Sequence, residues 1–164
     1  MPLPSTMTPI ATQTLTANAS SITFSSIPQD YTDLILVTSG ASQPAGGGAA
    51  FLRFNGDTGT NYSYLYMFGS GSATSTGRFS NTTGVPTNRH NTTEGGGMGH
   101  IMNYSNTTTY KTTISHGAGN NIAIAYTGSW RSTAAITSIT IFPESGPGWA
   151  TGFTATLYGI KAAS

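Results

Sequence analysis

The sequence predicts an all-β protein, a single jelly-roll-like antiparallel β-sandwich of about eight to ten strands. Short runs in which apolar residues alternate with Thr, Ser or Gln recur along most of the chain, and turns rich in Gly, Pro and Asn separate them. No stretch shows the period of about 3.6 residues that an amphipathic helix requires. At 164 residues the chain is long enough to form one domain with a packed core.

The N-terminal part predicts an arm followed by three strands. Residues 1–9 contain three prolines and little hydrophobic periodicity, so we expect an extended arm ahead of a β-sandwich domain at 10–164. Alternation of apolar and hydroxyl-bearing residues then indicates a strand over 10–16 and a short strand around 22–24. The run 31–39 is apolar on both faces, which predicts a central strand that is covered on two sides.

The middle of the chain predicts a strand, a turn and a row of tyrosines. Residues 50–54 have strand character, and the Asn-Gly pair that follows favours a tight reversal. Tyr62, Tyr64 and Tyr66 come next at strict alternation, so they share one face of a strand. We expect these tyrosines either to cover an edge of the sandwich or to form a contact surface.

The stretch 69–99 is rich in Gly, Ser and Thr and predicts only one strand, near 76–80. A loop of that length in a compact domain usually has a function or conceals a strand. Strand patterning returns at 100–104, 110–116 and 121–130.

The C-terminal residues 130–161 show the clearest strand pattern in the chain. Thr and Ile alternate through 137–141, and a second alternating run follows at 153–158. We interpret the two runs as a terminal antiparallel pair joined by a loop dense in Gly and Pro. Trp130 ends an apolar strand and is expected in the core. Trp149 lies in the loop, where we expect an exposed anchor of a binding surface.

The composition argues against several classes of partner. Charged residues make up 7% of the chain, the formal net charge is +1, and the charges are scattered singly. Nucleic acid and anionic lipid both require a concentrated basic patch, so we expect neither as a partner. No apolar run is long enough to cross a bilayer and the N-terminus lacks a signal-peptide pattern, so we expect a soluble chain. The absence of Cys excludes disulfides and thiolate metal sites.

No catalytic, cofactor or metal site is predicted. His90, His100 and His116 are not at ligand spacing, so solvated or hydrogen-bonding histidines are favoured over metal ligands. The oxygen-rich turn around Gly59 resembles a Ca²⁺ loop but lacks the terminal bidentate Glu, which favours a plain turn. The chain has only five acidic residues, and its sequence shows neither a nucleophile elbow nor a Lys-bearing phosphate loop. We therefore expect a protein that is not an enzyme.

The candidate contact residues are therefore aromatic. Tyr62, Tyr64, Tyr66 and Trp149 could pack against a neighbouring subunit or stack on a sugar ring. Of the two roles, we favour contact with a neighbouring subunit and keep glycan contact as the alternative.

Five blocks that together span more than a third of the chain support a family resemblance: 21–37 (SITFSSIPQDYTDLILV), 51–64 (FLRFNGDTGTNYSY), 103–112 (NYSNTTTYKT), 130–141 (WRSTAAITSITI) and 155–161 (ATLYGIK). They resemble small Ser/Thr-rich β proteins of tailed bacteriophages, particularly phages of cyanobacterial and marine hosts. Members of that family look like capsid decoration or tail-associated proteins. The resemblance implies a place on a virion and brings no catalytic residues with it.

The sequence thus predicts a non-enzymatic virion protein that decorates the outside of a capsid. We expect it to stabilise the head by contacts with the major capsid protein and with copies of itself, as a homotrimer. This expectation treats the chain as complete, since it begins at Met1, has no fibre-forming repeat and ends after its last strand. The alternative is a receptor-binding module of a tail fibre or head fibre that recognises a host-surface glycan.

Overall fold

The computed structural model describes residues 6–119 and 121–161, and twelve strands occur within them. The strands are β1 Met7–Thr14, β2 Ile22–Phe24, β3 Asp33–Ser39, β4 Gly47–Phe54, β5 Tyr62–Ser70, β6 Thr74–Thr82, β7 Val85–His90, β8 Gly96–Met102, β9 Lys111–Gly119, β10 Ile122–Trp130, β11 Ile139–Ser145 and β12 Thr154–Ile160. The all-β prediction is confirmed. The strand count exceeds the expected range, because the stretch 69–99 holds β6, β7 and the start of β8.

The strand order is that of an expanded jelly roll. A large sheet has the order β1-β12-β3-β8-β9-β10-β5-β6, a small sheet has the order β2-β11-β4-β7, and neighbouring strands are antiparallel. When the strands of a jelly roll are lettered B to I along the chain, its sheets run B-I-D-G and C-H-E-F. The small sheet matches B-I-D-G. The large sheet matches C-H-E-F with two additions. The meander β8-β9-β10 takes the place of H, and two further strands, β12 and β1, lie beside β3, which is at the position of C.

The two C-terminal strands lie in different sheets, so the expected terminal pair is wrong. β11 pairs with β2 and β4, whereas β12 pairs with β1 and β3. The Gly/Pro-rich loop between them carries the chain across the sandwich instead of folding it into a hairpin. Alternation predicts that a strand has an apolar face, but it does not specify which strand lies beside it.

Residues 7–9 belong to β1 and are not a free arm. Met7, Thr8 and Pro9 lie opposite Ile160, Gly159 and Tyr158 of β12, and a bulge follows Pro9. Proline is tolerated there because β1 is an edge strand that needs no N–H on its open side. The sheet therefore begins before residue 10, and residues 1–5 of the expected arm lie outside the described part of the chain.

The main core lies between the two sheets. Its largest fully buried side chains include Trp149, Tyr62, Tyr104, Phe54 and Phe153. β3 contributes Leu34 and Leu36, which are fully buried, while Val37 on its other face is 37% exposed. β3 is thus a central strand of the sheet, but the expected cover on both of its faces is only partly present.

The large sheet wraps around one edge of the small sheet. Residues of β4 contact different clusters: Leu52 and Phe54 lie in the main core, whereas Phe51 packs on Tyr64, which in turn contacts Tyr126, in a second cluster. β5 and β10 of the large sheet therefore cover the opposite face of the small sheet as well. Consequently five of the six residues of β7 are buried, although β7 ends the small sheet.

Glycines let β7 approach the large sheet closely. A Cβ added at Gly97 or Gly117 would lie 2.8 or 2.6 Å from the Cβ of Asn88, and one added at Gly128 would lie 2.8 Å from the Val85 side chain. These separations are too short for non-bonded carbons, so larger residues would force the sheets apart. The Gly-rich composition that concealed strands in the sequence is the property that allows this packing.

Candidate functional site

Trp149 lies in the core, so the expectation of an exposed anchor is wrong. It is 1% exposed, its ring stacks on Phe153 with centroids 4.4 Å apart, and its indole N–H donates to the carbonyl of Ile141 at 3.2 Å. Its backbone N–H and C=O both bond to Ala19, at 2.7 and 3.1 Å. The loop folds inward because these bonds and the ring contacts satisfy every polar group of the Trp in the interior.

The tyrosines share one face as predicted, but that face is turned towards the small sheet. Tyr62 is fully buried, its hydroxyl accepts the N–H of Phe54 at 3.1 Å, and burial raises its pKa to about 12. Tyr64 is buried as well, and Tyr66 is half-buried. Tyr62 and Tyr64 are therefore packing residues, since their rings are covered by the chain itself.

The opposite side of the large sheet, which we call the outer face, is where apolar side chains meet solvent. Leu65 and Met67 of β5 are 54% and 63% exposed. The same face presents exposed Val37, Met98 and Ile114 on β3, β8 and β9. Most isolated surface apolar residues need no explanation, but a contiguous group on a flat sheet marks an interaction surface.

The register aligns these side chains into rows that cross the whole sheet. One row contains Thr12, Thr156, Val37, Met98, His116, Ala125, Met67 and Thr76, with one residue from each of the eight strands. The adjacent row contains Ile114 next to Thr127 and Leu65. The apolar side chains thus form a band over the β3-to-β5 part of the outer face, interrupted by His116 in one row and by Thr127 in the next.

A shallow groove lies at the β5 end of this band. Small residues, Gly69, Ala118, Ala123 and Ala125, line it beside Met67, and its volume is about 960 Å³. Because the floor is made of small side chains, a partner side chain could lie between the taller neighbours.

The outer face carries few charges. Arg78 projects from β6 at one end, and Asp33 pairs with His100 at 2.8 Å between β3 and β8. At the other end, Thr12 and Thr14 bond through their hydroxyls to Thr156 and Thr154 at 3.1 and 3.0 Å. A partner could cover this face without burying an unpaired charge, which is the most costly group to remove from water.

A second concave feature, the ring cleft, lies on the inner side of β5 and β6. The rings of Tyr64, Phe79, Tyr66 and Phe68 form a stacked series, with neighbouring centroids 5.0, 6.1 and 6.0 Å apart. Its volume is about 180 Å³, and Arg89 and Glu144 provide its charged groups.

Two observations define the chemistry of the ring cleft. Phe79 is 47% exposed, so the ring series reaches solvent at β6. Burial, together with nearby Glu144, raises the pKa of Tyr64 to about 12, so its hydroxyl stays protonated at neutral pH. The cleft therefore combines aromatic surface with a neutral hydroxyl, a guanidinium and a carboxylate.

The Asp57 turn supports the core and does not form a cation loop. Asn55 and Gly56 have φ of 52° and 68°, which confirms the expected tight reversal. The Asp57 carboxylate accepts the indole N–H of Trp130 at 2.7 Å and the amide of Asn61 at 2.9 Å. These hydrogen bonds, that of Trp130 foremost, lower the pKa of Asp57. Its oxygens are thus occupied by donors, as the plain-turn interpretation predicts.

The three histidines are apart and in different environments. His90 is buried, its Nδ1–H donates to the carbonyl of Gly40 at 2.9 Å, and burial lowers its pKa. His100 is held by Asp33, and His116 lies exposed on the outer face. Within residues 6–119 and 121–161, no three metal-ligating side chains gather at one place.

Lys111 is a buried cation that the sequence pattern did not reveal. Its ammonium donates to the carbonyls of Thr109 and Thr133 at 2.9 and 3.1 Å, and burial lowers its pKa. It ties the loop before β9 to the loop after β10, which is a structural role. The described residues also contain no helix with the length and hydropathy of a membrane span.

Comparisons with known proteins identify no family. No protein-family description and no curated protein matches the chain. Among solved structures, the chain is similar to SO2946, a protein of unknown function from Shewanella oneidensis MR-1. The two are 12% identical, the match covers 96% of this chain and 71% of the other, and the TM-score is 0.22. A similarity at this level carries no functional argument.

Proposed function

We propose that this chain is a non-enzymatic structural subunit of a large assembly, and specifically a capsid decoration protein of a tailed-phage virion. The outer face is the observation that supports the proposal. It is broad, nearly uncharged and paired across eight strands, and it exposes an apolar band. Such a face suits a subunit that lies against capsid neighbours, because covering it gains apolar burial and removes few charges from water.

Four of the five acidic side chains also favour a role in contact over one in proton transfer. Asp57 holds Trp130, Asp33 holds His100, and Glu144 accepts the N–H of Ala49 at 3.2 Å. Asp30 pairs with Lys161 at 3.0 Å on the surface. A general acid or base needs a carboxyl group that is free to exchange a proton with a substrate, and these groups are engaged in local structure.

The double substitution Leu65→Glu with Met67→Glu tests the role of the outer face. We expect at least about a tenfold drop in the number of copies bound per purified phage particle, because attachment would bury carboxylates without partners. Quantitative mass spectrometry of the particles measures the copy number, which should be on the order of hundreds for the unchanged protein on an icosahedral head.

Thr83→Glu is the control for this test, since it adds a glutamate, one instead of two, at an exposed loop residue away from the outer face. It should leave the copy number unchanged. If the double variant fills the particles as well as the unchanged protein, the outer face is not the attachment surface. If the unchanged protein is absent from particles, the virion proposal itself fails.

A second candidate function is recognition of a host-surface glycan, and the ring cleft is the observation that favours it. Aromatic surface beside a guanidinium and a carboxylate is the usual composition of a sugar site. In that case Phe79→Ala should weaken binding on a glycan array by about tenfold or more, because it removes the exposed ring. Tyr110→Ala, which removes another exposed ring, should have no effect. Equal binding by both variants would exclude the cleft as the glycan site.

A further inference from the structure

The large sheet has one edge with little of the usual protection against pairing. An edge strand presents unpaired N–H and C=O groups, and proteins normally block them with Pro, bulges, charges or a covering segment. β1 has Pro9 and a bulge, β2 is three residues long, and β7 is buried by the wrap of the large sheet. β6, at the far edge, is nine residues long and contains no Pro or acidic residue. Its protective features are a single charge, Arg78, and a bulge at Asn81 near its end, which leaves residues 74–80 regular.

The hydrogen-bond pattern shows which backbone groups of β6 face outward. The N–H of Ser70 donates to the carbonyl of Ala73 at 2.8 Å, which makes that pair a hydrogen-bonded one. Bonded and non-bonded pairs alternate in an antiparallel ladder, so β5 and β6 are bonded at 68–75, 66–77 and 64–79. The backbone groups that point away from β5 therefore belong to Thr74, Thr76, Arg78 and Ser80.

These four residues are symmetric about Gly77. We infer that β6 pairs antiparallel with β6 of a second copy of this chain, about a two-fold axis at Gly77. Thr74 then lies opposite Ser80 of the second copy, and Thr76 lies opposite Arg78 of the second copy. Each such pair exchanges two N–H···O bonds, so every outward group in the span finds a partner. Arg78 faces a threonine instead of a second Arg78, so no like charges oppose each other directly.

The side chains around Gly77 fit this pairing. Phe79 is 47% exposed at the edge and would pack over Ser75 of the second copy, which lies opposite it in this register. Gly77 itself carries no side chain, and a Cβ there would lie 2.5 Å from the ring of Tyr66. The paired span is bounded by a tight turn before Thr74 and by a bulge at Asn81, where φ is 58°, after which β6 continues to Thr82.

The pairing uses the β6 edge, whereas the proposed capsid attachment uses the outer face. Either proposal can therefore fail without the other. A two-fold pair also differs from the homotrimer expected from the sequence. In the pair, the outer faces of both copies would join across β6 into one surface, because β5 with Leu65 and Met67 lies directly beside it. The partner is thus an identical chain, added by extension of the sheet.

Thr76→Pro tests the inference, because the lost N–H points outward and the bonds to β5 remain. Proline is tolerated at such edge positions, so the fold should be retained, which circular dichroism would verify. Sedimentation equilibrium should show a dimer for the unchanged protein, and the dissociation constant of the variant should rise on the order of 10- to 100-fold. Thr76→Val, which keeps the N–H, is the matched control and should dimerise as before.

Cysteine cross-linking tests the register independently. The chain contains no Cys, so the only thiols are the introduced ones. Purified Thr76→Cys and Arg78→Cys should form a disulfide-linked dimer when mixed under oxidising conditions, since the two residues face each other across the pair at a bridgeable distance. Each variant alone should cross-link weakly, because residue 76 does not face residue 76.

Three results would overturn the inference. The unchanged protein could sediment as a monomer or a trimer at micromolar concentration. Thr76→Pro could dimerise as tightly as Thr76→Val. Alternatively, Thr76→Cys alone could cross-link as efficiently as the mixture, which would place the axis elsewhere. Attachment to particles is not measured in any of these experiments, so a failed capsid role would not be mistaken for a failed dimer.

Discussion

Replacing Trp149 by alanine is expected to lower the free energy of unfolding by about 3–5 kcal/mol, measured by chemical denaturation. The ring is 1% exposed and stacks on Phe153, with ring centroids 4.4 Å apart. It also makes an edge contact with His90, with ring centroids 5.2 Å apart. The substitution would leave a cavity between the sheets and remove the donor to the carbonyl of Ile141. It would thus remove the main packing residue of the loop that crosses from β11 to β12.

Tyr110→Ala is the control for this prediction, because it also deletes an aromatic ring, but one that is 59% exposed. A change within about 0.5 kcal/mol is expected for it, as for most surface substitutions. If Trp149→Ala were as mild as Tyr110→Ala, the Trp149 ring would have to lie at the surface, as the sequence alone suggested.

Gly117→Val is expected to destabilise the fold by about 3 kcal/mol or more, through overpacking. A Cβ at Gly117 would lie 2.6 Å from the Cβ of Asn88 and 2.6 Å from the carbonyl oxygen of Gly96. Both contacts involve atoms fixed by the backbone, so a rotamer change cannot relieve them. β7 would have to move away from β9. Thermal unfolding monitored by circular dichroism measures the decrease in stability. Gly117→Ala should show a smaller decrease.

Gly69→Val provides a matched control on the same sheet. A Cβ at Gly69 meets nothing within 4 Å, and valine suits a strand. Its unfolding temperature should stay close to that of the unchanged protein. If Gly69→Val and Gly117→Val lowered the unfolding temperature equally, the replacement of a strand glycine in general, and not the close approach of β7, would explain the effect.

The fold class was predictable because strand alternation is local. The strands near β1, β5 and β10 to β12 were predicted correctly, since their side chains alternate regardless of partner. β7 could not be found from its sequence, because it is buried on both sides and consists largely of polar residues, among them Thr87 and Asn88. The large sheet covers β7 closely because of glycines on β8 to β10, and those on β9 and β10 are distant from β7 in sequence.

The candidate site was less predictable than the fold. Alternation placed Tyr62 and Tyr64 on one face of β5 and Leu65 and Met67 on the other, and that division is confirmed. Hydropathy alone would bury Leu and Met and expose Tyr. The reverse occurs because the core satisfies both parts of the Tyr62 side chain. Its hydroxyl accepts the N–H of Phe54, and its ring packs against the Phe54 ring.

The sequence by itself determined that this chain is a β protein, poor in charge and without cysteine, with a defined apolar face on most of its strands. Only the tertiary structure decided which sheet each strand joins, that Trp149 is internal, and that the apolar band and the β6 edge remain open. The reason is physical. Alternation is a property of neighbouring residues, whereas sheet membership, burial and free edges depend on contacts between residues far apart in the chain.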